Sequence, residues 1–195
     1  MTEIFFDDEA VVFEGEAPRT VGELVTLCQE NAGARQRVVS EILCDGSPCE
    51  GVEAARELAS VGRVAVRTVS IREALRAVTA QSASSLEAAK RELAGLDREV
   101  LRSPWTVVRD RCIDLAGNLG ATLEQGAALA GRAEIEGLQG ELDGVMTRAA
   151  DALEAWIEQI AAGEAAGVCL QGETKLAPRL MEFTDVLARV AQKLA

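Results

Sequence analysis

Two thiols, Cys44 and Cys49, enclose the turn-forming residues Asp-Gly-Ser-Pro and are the pair with the most evident chemistry. A structural zinc site would need two more soft ligands at a suitable spacing, but the other three cysteines are distant and single. The redox motif has two intervening residues, whereas this pair has four. We therefore expect two unrelated free thiols, and a regulatory disulfide closed by the turn is the alternative.

The chain contains no histidine. This absence excludes His-based acid–base catalysis, the Ser-His-Asp and Cys-His nucleophile systems, and the Glu-x-x-His motif of di-iron helical bundles. The sequence also has neither a Gly-x-Gly-x-x-Gly loop nor a Gly-Lys-Ser/Thr element for phosphate. We consequently predict no catalytic, cofactor-binding or metal-binding residue, and no cofactor.

Acidic side chains are plentiful on the predicted helices, and two of them, Asp110 and Asp114, are four residues apart and share one helix face. Glu134, Glu136 and Asp143 lie on a similar surface. A catalytic pair of carboxylates needs a pocket that separates their two pKa values, and the sequence does not indicate one. We expect a solvated acidic face, so that an enzyme using carboxylates or cysteine is the least favoured function.

Three residues on the apolar stripes of predicted helices could serve a core or a site. Cys112 follows Arg111 and lies three residues after Arg109, and cationic neighbours can lower the pKa of a thiol. Its place on the stripe favours the core, because free cysteine is among the most buried residue types. For Trp105 and Trp156 we also expect core packing, with an exposed interface anchor as the alternative.

Acidic residues outnumber basic ones along the whole chain, which has a net charge of −12. Residues 1–70 carry 13 acids and 6 bases, and residues 71–195 carry 19 acids and 14 bases. Nucleic acid and anionic membrane are therefore disfavoured as partners. No apolar stretch approaches the roughly 20 residues of a membrane span, and the N-terminus lacks the pattern of a signal peptide. We expect a cytoplasmic protein.

The first 69 residues alternate between short β-forming runs and turn signals. They predict a hairpin, a helix and two later strands, with a short helical or irregular segment over 52–61 before the last strand. The helix begins at the capping box Thr20-Val-Gly-Glu23 and is expected to stop at Gly33. The predicted strands are Ile4–Phe6, Val11–Phe13, Val38–Cys44 and Val64–Val69.

This order of elements resembles the β-grasp fold of ubiquitin-like domains. The resemblance rests on the N-terminal hairpin, the helix that begins at Thr20, the strand that ends in Cys44-Asp-Gly46 and the late strand Val64–Val69. It covers residues 1–69 and implies a small domain that presents a sheet surface to partners. Ubiquitin-like modifiers end in a free Gly-Gly, but here the last strand leads directly into Ser70-Ile-Arg-Glu73. The resemblance therefore does not imply a modifier.

From residue 70 onward, apolar residues recur at alternating steps of three and four, which is the pattern of helical bundles. The capping box Ser70-Ile-Arg-Glu73 opens the first helix, and Ser103-Pro104 marks a cap and a restart. We predict four helices over 71–100, 104–130, 133–162 and 174–195. Gly131 leaves one alternative, because a single glycine can end a helix or lie within it. If 104–162 is one helix, the bundle has three long helices and is elongated or completed by a second chain.

The predicted fold class is α+β, with a small β-grasp-like N-terminal domain over 1–69 and an antiparallel α-helical bundle domain over 70–195. Apolar seams and the poverty of catalytic residues favour a non-enzymatic protein–protein interaction, adaptor or oligomerisation protein. It would act through the helix seams and the N-terminal domain, and it would bind a protein partner or form a homodimer. The alternative is a chaperone or secretion-associated bundle that holds a client helix.

Overall fold

The computed structural model describes residues 2–13, 16–49 and 55–195. The chain divides into two compact units, Met1–Ala74 and Leu75–Ala195, which we name the N-terminal unit and the C-terminal unit. The first contains a mixed five-stranded sheet with a helix, and the second contains helices that pack together. The predicted α+β class is confirmed.

The sheet of the N-terminal unit is built from five strands. Their bounds are β1 Glu3–Phe6, β2 Glu9–Ala10, β3 Arg37–Cys44, β4 Ser47–Pro48 and β5 Arg63–Ser70. They lie in the order β2-β1-β5-β3-β4. β1 runs parallel to β5, whereas the other neighbours pair antiparallel. The first and last strands in the chain thus lie side by side within the sheet.

Two tight turns close the hairpins β1–β2 and β3–β4. Asp7 and Asp8 have φ angles of 49° and 67°, and Asp45 and Gly46 have φ angles of 53° and 85°. Two successive positive φ angles define type I′ turns, whose twist matches that of paired strands. The predicted hairpin is present, but its second strand is not Val11–Phe13, because this two-residue turn lets pairing begin earlier, at β2. The short strand β4 was not predicted.

Helix α1 (Val21–Ala34) packs on the sheet. Thr20 is its N-cap, and Thr20 Oγ accepts a hydrogen bond from the backbone N–H of Glu23 at 3.2 Å. The Glu23 carboxylate accepts from the N–H of Arg19 at 2.7 Å, one residue before the position that a capping box uses. The predicted start is confirmed, but the helix continues past Gly33 for one more residue.

The core of the N-terminal unit lies between α1 and one face of the sheet. The segment expected over 52–61 contains a 3₁₀ turn at Leu58–Ser60, which adds Leu58 to this core, and its residues 52–54 lie outside the described residues. The alternate residues Val64 and Val66 of β5 point inward. The buried residues of the cluster are Ile4, Val21, Leu24, Cys28, Cys44, Leu58, Val61, Val64 and Val66.

Asp7 ties the β1–β2 turn to β5. One carboxylate oxygen accepts from the backbone N–H of Thr68 at 2.7 Å, and the other accepts from the Thr68 hydroxyl at 2.6 Å. Arg37 Nη2 lies 3.4 Å from the same carboxylate. The hydrogen bond from the Thr68 hydroxyl is the main cause that lowers the pKa of Asp7, and it outweighs the opposing effect of burial.

We expect the Asp7→Ala substitution to lower the free energy of unfolding at neutral pH by about 2 kcal/mol, because it leaves donors of the buried Thr68 without their acceptor. Asp7→Asn keeps one acceptor and tolerates the positive φ, so it should cost about half as much. Urea denaturation followed by circular dichroism measures both values.

A comparison of the unaltered chain with Asp7→Asn also tests the charge of Asp7. Since the pKa of Asp7 is lower in the folded chain, its ionised form stabilises the fold above the unfolded-state pKa of about 3.9. That contribution is lost as the pH falls through the lower folded-state pKa. The stability difference between the unaltered chain and Asp7→Asn should therefore shrink in strong acid, and a difference that does not change with pH would contradict this assignment.

Helices follow the sheet without a break. Their bounds are α2 Ile71–Leu93, α3 Leu96–Val100, α4 Trp105–Ala130, α5 Gln139–Ala162, α6 Ala165–Gln171 and α7 Ala177–Leu194, and a π-helical segment, Gly172–Leu176, joins the last two. α6, the π-helical segment and α7 form one continuous stretch. The predicted region of four long packed helices is confirmed.

Several predicted boundaries differ from the observed ones. Helix α4 ends at Ala130 with Gly131 at its C-cap, so 104–162 is two helices. Ser103 does not cap α4, since Pro104 takes the N-cap position without a side-chain bond. The first predicted helix divides before Leu96, and the last begins at Ala165 instead of 174. At the start of α2, Ser70 and Glu73 do form the expected reciprocal capping box, with bonds of 2.9 and 3.1 Å.

The apolar stripes of these helices are buried within the chain itself. α5 packs against both α4 and α7. Most of the apolar residues that recur at steps of three and four along these helices are at most 4 % exposed. They include Val108, Cys112, Leu115, Leu119, Leu142, Val145, Ala149, Trp156, Ile160, Leu176, Leu180, Phe183, Leu187, Val190 and Leu194. The stripes therefore form the core of the C-terminal unit.

The π-helical segment lies between a carbonyl that also accepts from a side chain and a proline. The indole N–H of the fully buried Trp156 donates to the backbone carbonyl of Val168 at 2.9 Å. Pro178 has no N–H to donate to a carbonyl of the preceding turn. The ladder widens between these two positions, and the Ala177 N–H donates to the carbonyl of Gly172, five residues earlier.

Candidate functional site

All five cysteines are in the thiol form and none is part of a disulfide. Cys44 is buried in the core of the N-terminal unit, and Cys49 is half-buried beside it. The strand register pairs Cys44 with Ser47, whereas the N–H of Cys49 donates to the carbonyl of Ile42 at 2.9 Å. Cys44 thus ends β3 and Cys49 directly follows β4, and the two residues are not paired in the strand register.

Cys112 is fully buried on α4. Desolvation by burial raises the pKa of the Cys112 thiol to about 11, with further contributions from Cys169 and Glu99, and the opposing effect of Arg111 is smaller. The thiol is therefore neutral at physiological pH, as a core residue would be. Trp156 is fully buried as well, whereas Trp105 is half-buried.

The carboxylates that the sequence singled out are dispersed. Asp110, Asp114, Glu136 and Asp143 are exposed, and Glu134 is half-buried. Across residues 2–13, 16–49 and 55–195, no group of three or more acidic or cysteine side chains is arranged to hold a metal ion. None of the helices in that same part of the chain has the length and apolar character needed to cross a membrane.

A row of apolar residues crosses the sheet on the face opposite α1. The register places Ala10 opposite Phe5, Phe5 opposite Ala65, Ala65 opposite Leu43 and Leu43 opposite Pro48, so that each strand contributes one residue. Side chains alternate along a strand, and the neighbours of Ala65 on β5 point into the core, so Ala65 and its partners point away from α1. We name these five residues the sheet row.

Two arginines of β5 flank the sheet row on the same face. The guanidinium of Arg63 lies 4.4 Å from the centre of the Phe5 ring, which is a cation–π contact. On the other side of Ala65, Arg67 Nη1 lies 3.1 Å from Glu41 Oε2 across the strand pair β3–β5. These contacts hold both long side chains against the sheet while leaving their remaining N–H donors for other partners.

The sheet row borders a concavity of about 490 Å³, whose lining includes Asp8, Leu43, Asp45, Arg63, Ala65 and Arg67. Asp45 holds one end of it in place, because its carboxylate accepts from the N–H of Arg63 at 2.8 Å. These lining residues offer apolar contact, guanidinium donors and carboxylate acceptors, but no hydroxyl or thiol nucleophile.

Comparison of the chain with protein-family models, with curated proteins and with solved structures found no match.

No local pattern in the sequence marks the whole sheet row. The alternation of Val64 and Val66 with Arg63, Ala65 and Arg67 carried part of the signal, since it distinguishes the two faces of β5. The register that brings Phe5 and Leu43 to either side of Ala65 depends on pairing between distant strands, parallel for β1 with β5 and antiparallel for β3 with β5, which no local pattern reveals.

Proposed function

We propose that the chain is a non-enzymatic protein-interaction module and that its N-terminal unit is a β-grasp domain. The strand order β2-β1-β5-β3-β4, the parallel pairing of β1 with β5 and the helix after the first hairpin support this fold. The unit would bind a protein partner through the face that carries the sheet row. The partner is another protein or a second copy of this chain.

The burial of the helix stripes favours the sheet over the helix seams as the binding surface. The residues of the seams are used in the chain's own core, so that few of them remain for a partner or for a client helix. An adaptor acting through the N-terminal unit is accordingly better supported than a chaperone-like or secretion-associated bundle.

The composition of the sheet row is the observation that carries the proposal. Protein interfaces combine an apolar centre with aromatic residues and arginine, and lysine and glutamate are depleted there. The sheet row offers Phe5 and Leu43 at its centre, with Arg63 and Arg67 beside them. Arginines at protein interfaces are often among the largest contributors to the binding free energy, because they combine a flat apolar surface with several hydrogen-bond donors.

The test compares two substitutions in the N-terminal unit, each of which replaces a leucine with arginine. Leu43→Arg places a charge in the sheet row, and we expect it to weaken partner binding at least tenfold, or about 1.4 kcal/mol. Leu27→Arg is the matched control, because Leu27 is an exposed leucine of α1, 44 % accessible, and lies outside the sheet row. Partners are captured on the immobilised full-length chain, and their affinities are then measured with each purified variant by calorimetry.

Self-association is measured in parallel by light scattering coupled to size exclusion. A partner or dimer that Leu43→Arg loses and Leu27→Arg retains supports the proposal. Equal binding by both variants would place the interface elsewhere, and a strictly monomeric chain that captures no partner would refute an interaction function. Circular dichroism of both variants shows whether the sheet is intact.

A further inference from the structure

A groove on the C-terminal unit brings three cationic side chains together in a chain whose net charge is −12. It has a volume of about 540 Å³ and lies between α5 and the stretch formed by the end of α6, the π-helical segment and the start of α7. Its polar lining residues are Arg148, Asp151, Gln171, Thr174, Lys175 and Arg179. Ala152 and Ala155 on α5 leave the space between the helices open.

The π-helical segment provides one wall of this groove. Thr174 and Lys175 belong to it, and Gln171 precedes it directly. One extra residue per turn changes the direction of the side chains relative to a regular α-helix, and π-helical turns of this kind occur frequently at functional sites. The Val168 carbonyl that accepts from Trp156 lies one turn before the segment, and Pro178 follows the segment by two residues.

Glu182 holds the two arginines of the groove in place. Its carboxylate accepts from Arg148 Nε at 3.1 Å and from Arg179 Nη1 at 2.5 Å. Desolvation raises the pKa of Glu182, but the hydrogen bonds from Arg148 and Arg179 outweigh it, and the pKa is lowered overall. Glu182 therefore stays ionised at neutral pH. Each guanidinium has five N–H donors and gives one to Glu182, which leaves several for a ligand.

The charged side chains in and beside the groove carry a net charge of +1. Arg148, Lys175 and Arg179 contribute three positive charges, and Asp151 and Glu182 contribute two negative ones. Lys175 is exposed and adds an ammonium to the two guanidiniums that Glu182 contacts. Guanidinium groups bind carboxylate and phosphate oxygens in a bidentate geometry, whereas an ammonium acts as a point charge.

We propose that this groove binds a small molecule through an oxyanion group, a carboxylate or a phosphate, which Arg148, Lys175 and Arg179 hold. The volume lies in the usual range of about 300–1,000 Å³ for small-molecule sites. Asp151 accepts a hydrogen bond from an ammonium or hydroxyl group elsewhere on the same ligand and disfavours compounds of high negative charge. The site is on a different unit from the sheet row, so it stands or falls independently of the proposed interaction function.

The experiment titrates the full-length chain with inorganic phosphate and, separately, with succinate, at low salt. The readout is the shift of backbone amide signals in NMR spectra of isotope-labelled protein. We expect saturable shifts concentrated in 148–155 and 171–182 for at least one of the two probes. The probe with the lower dissociation constant identifies whether phosphate or carboxylate is the preferred oxyanion.

Four variants decide whether the groove is responsible. Lys175→Gln and Arg179→Gln should each raise the dissociation constant roughly tenfold, because each removes a charge-assisted contact. Asp151→Asn should lower it roughly threefold, because it removes a nearby negative charge. The control is Arg109→Gln, at an exposed position on α4 outside the groove lining, and it should leave the dissociation constant unchanged.

Two results would overturn the proposal. One is the absence of saturable shifts with both probes. The other is an equal loss of affinity in Arg109→Gln and Arg179→Gln, which would indicate that the anions respond only to the overall charge. Lys175 is exposed, so Lys175→Gln keeps the test valid even if the loss of the Arg179–Glu182 bond perturbs folding.

Discussion

Replacement of Trp156 by alanine is expected to lower the free energy of unfolding by about 4 kcal/mol, because a fully buried tryptophan leaves a cavity that the neighbouring helices fill only in part. Trp156 is the largest fully buried side chain among the described residues. Its indole lies so close to Gly172 that a Cβ atom there would be 3.2 Å from Nε1. The loss of the hydrogen bond to Val168 adds to the cost, although the Gly172 N–H still reaches that carbonyl.

Urea denaturation followed by circular dichroism at the helical band measures this effect. Tryptophan fluorescence is a poor probe, since the chain has only two tryptophans and one of them is removed. Trp105→Ala is the matched control, because Trp105 is only half-buried, and it should cost about 1–2 kcal/mol. Trp156→Phe keeps most of the apolar surface and loses the N–H donor. Its loss of unfolding free energy should lie between those of Trp156→Ala and Trp105→Ala. Equal losses in Trp156→Ala and Trp105→Ala would contradict the assignment of Trp156 to the centre of the core.

Local signals in the sequence were sufficient wherever a few neighbouring residues decide the structure. Thr20 and Ser70 mark two helix starts correctly, because an N-cap satisfies backbone donors within one turn. Asp45-Gly46 marks a tight turn correctly, because these residues tolerate positive φ. The stripes at steps of three and four also identified most of the core of the C-terminal unit.

Boundaries were mispredicted where tertiary contacts outweigh local preference. Val11–Phe13 has the composition of a strand, but the Asp7-Asp8 turn starts the pairing at β2, and beyond β2 the N–H of Val11 donates to the carbonyl of Ile4 at 2.8 Å. The last helix starts earlier than predicted because the glycine-rich run before residue 174 is supported from outside. Gly172 is buried beside Leu93 and Trp156, and that contact compensates for the weak helix propensity of glycine.

Local sequence patterns do not reveal the two candidate sites either, because each site joins residues that meet only in the folded chain. The sheet row joins Phe5, Ala65 and Leu43, which are distant in sequence and meet only through strand register. The groove on the C-terminal unit joins Arg148 on α5 with Lys175 and Arg179, and these side chains line one groove because the π-helical segment faces α5. A run of like charges does not mark this site, because its cations come from separate elements and an acidic residue lies two or three positions from each of them.

The Gly126→Leu substitution is expected to lower the free energy of unfolding by about 3 kcal/mol, because the site has no room for a side chain. A Cβ atom at Gly126 would lie 2.7 Å from Phe183 Cζ and 3.0 Å from Met146 Sδ. Phe183 is fully buried, so its ring has little freedom to move away. Gly126 thus permits the close approach of α4 to the side chains of α5 and α7.

Gly117→Leu on the same helix is the control, because a Cβ atom there meets no other atom within 4 Å and the position is exposed. There the better helix propensity of leucine should stabilise the fold by about 0.5–1 kcal/mol. The two substitutions make the same chemical change nine residues apart on α4, and they should alter stability in opposite directions in urea denaturation. If both stabilise the chain, the close packing of Phe183 on Gly126 is wrong. Opposite signs would show that one glycine of α4 is required by packing and that the other only weakens the helix.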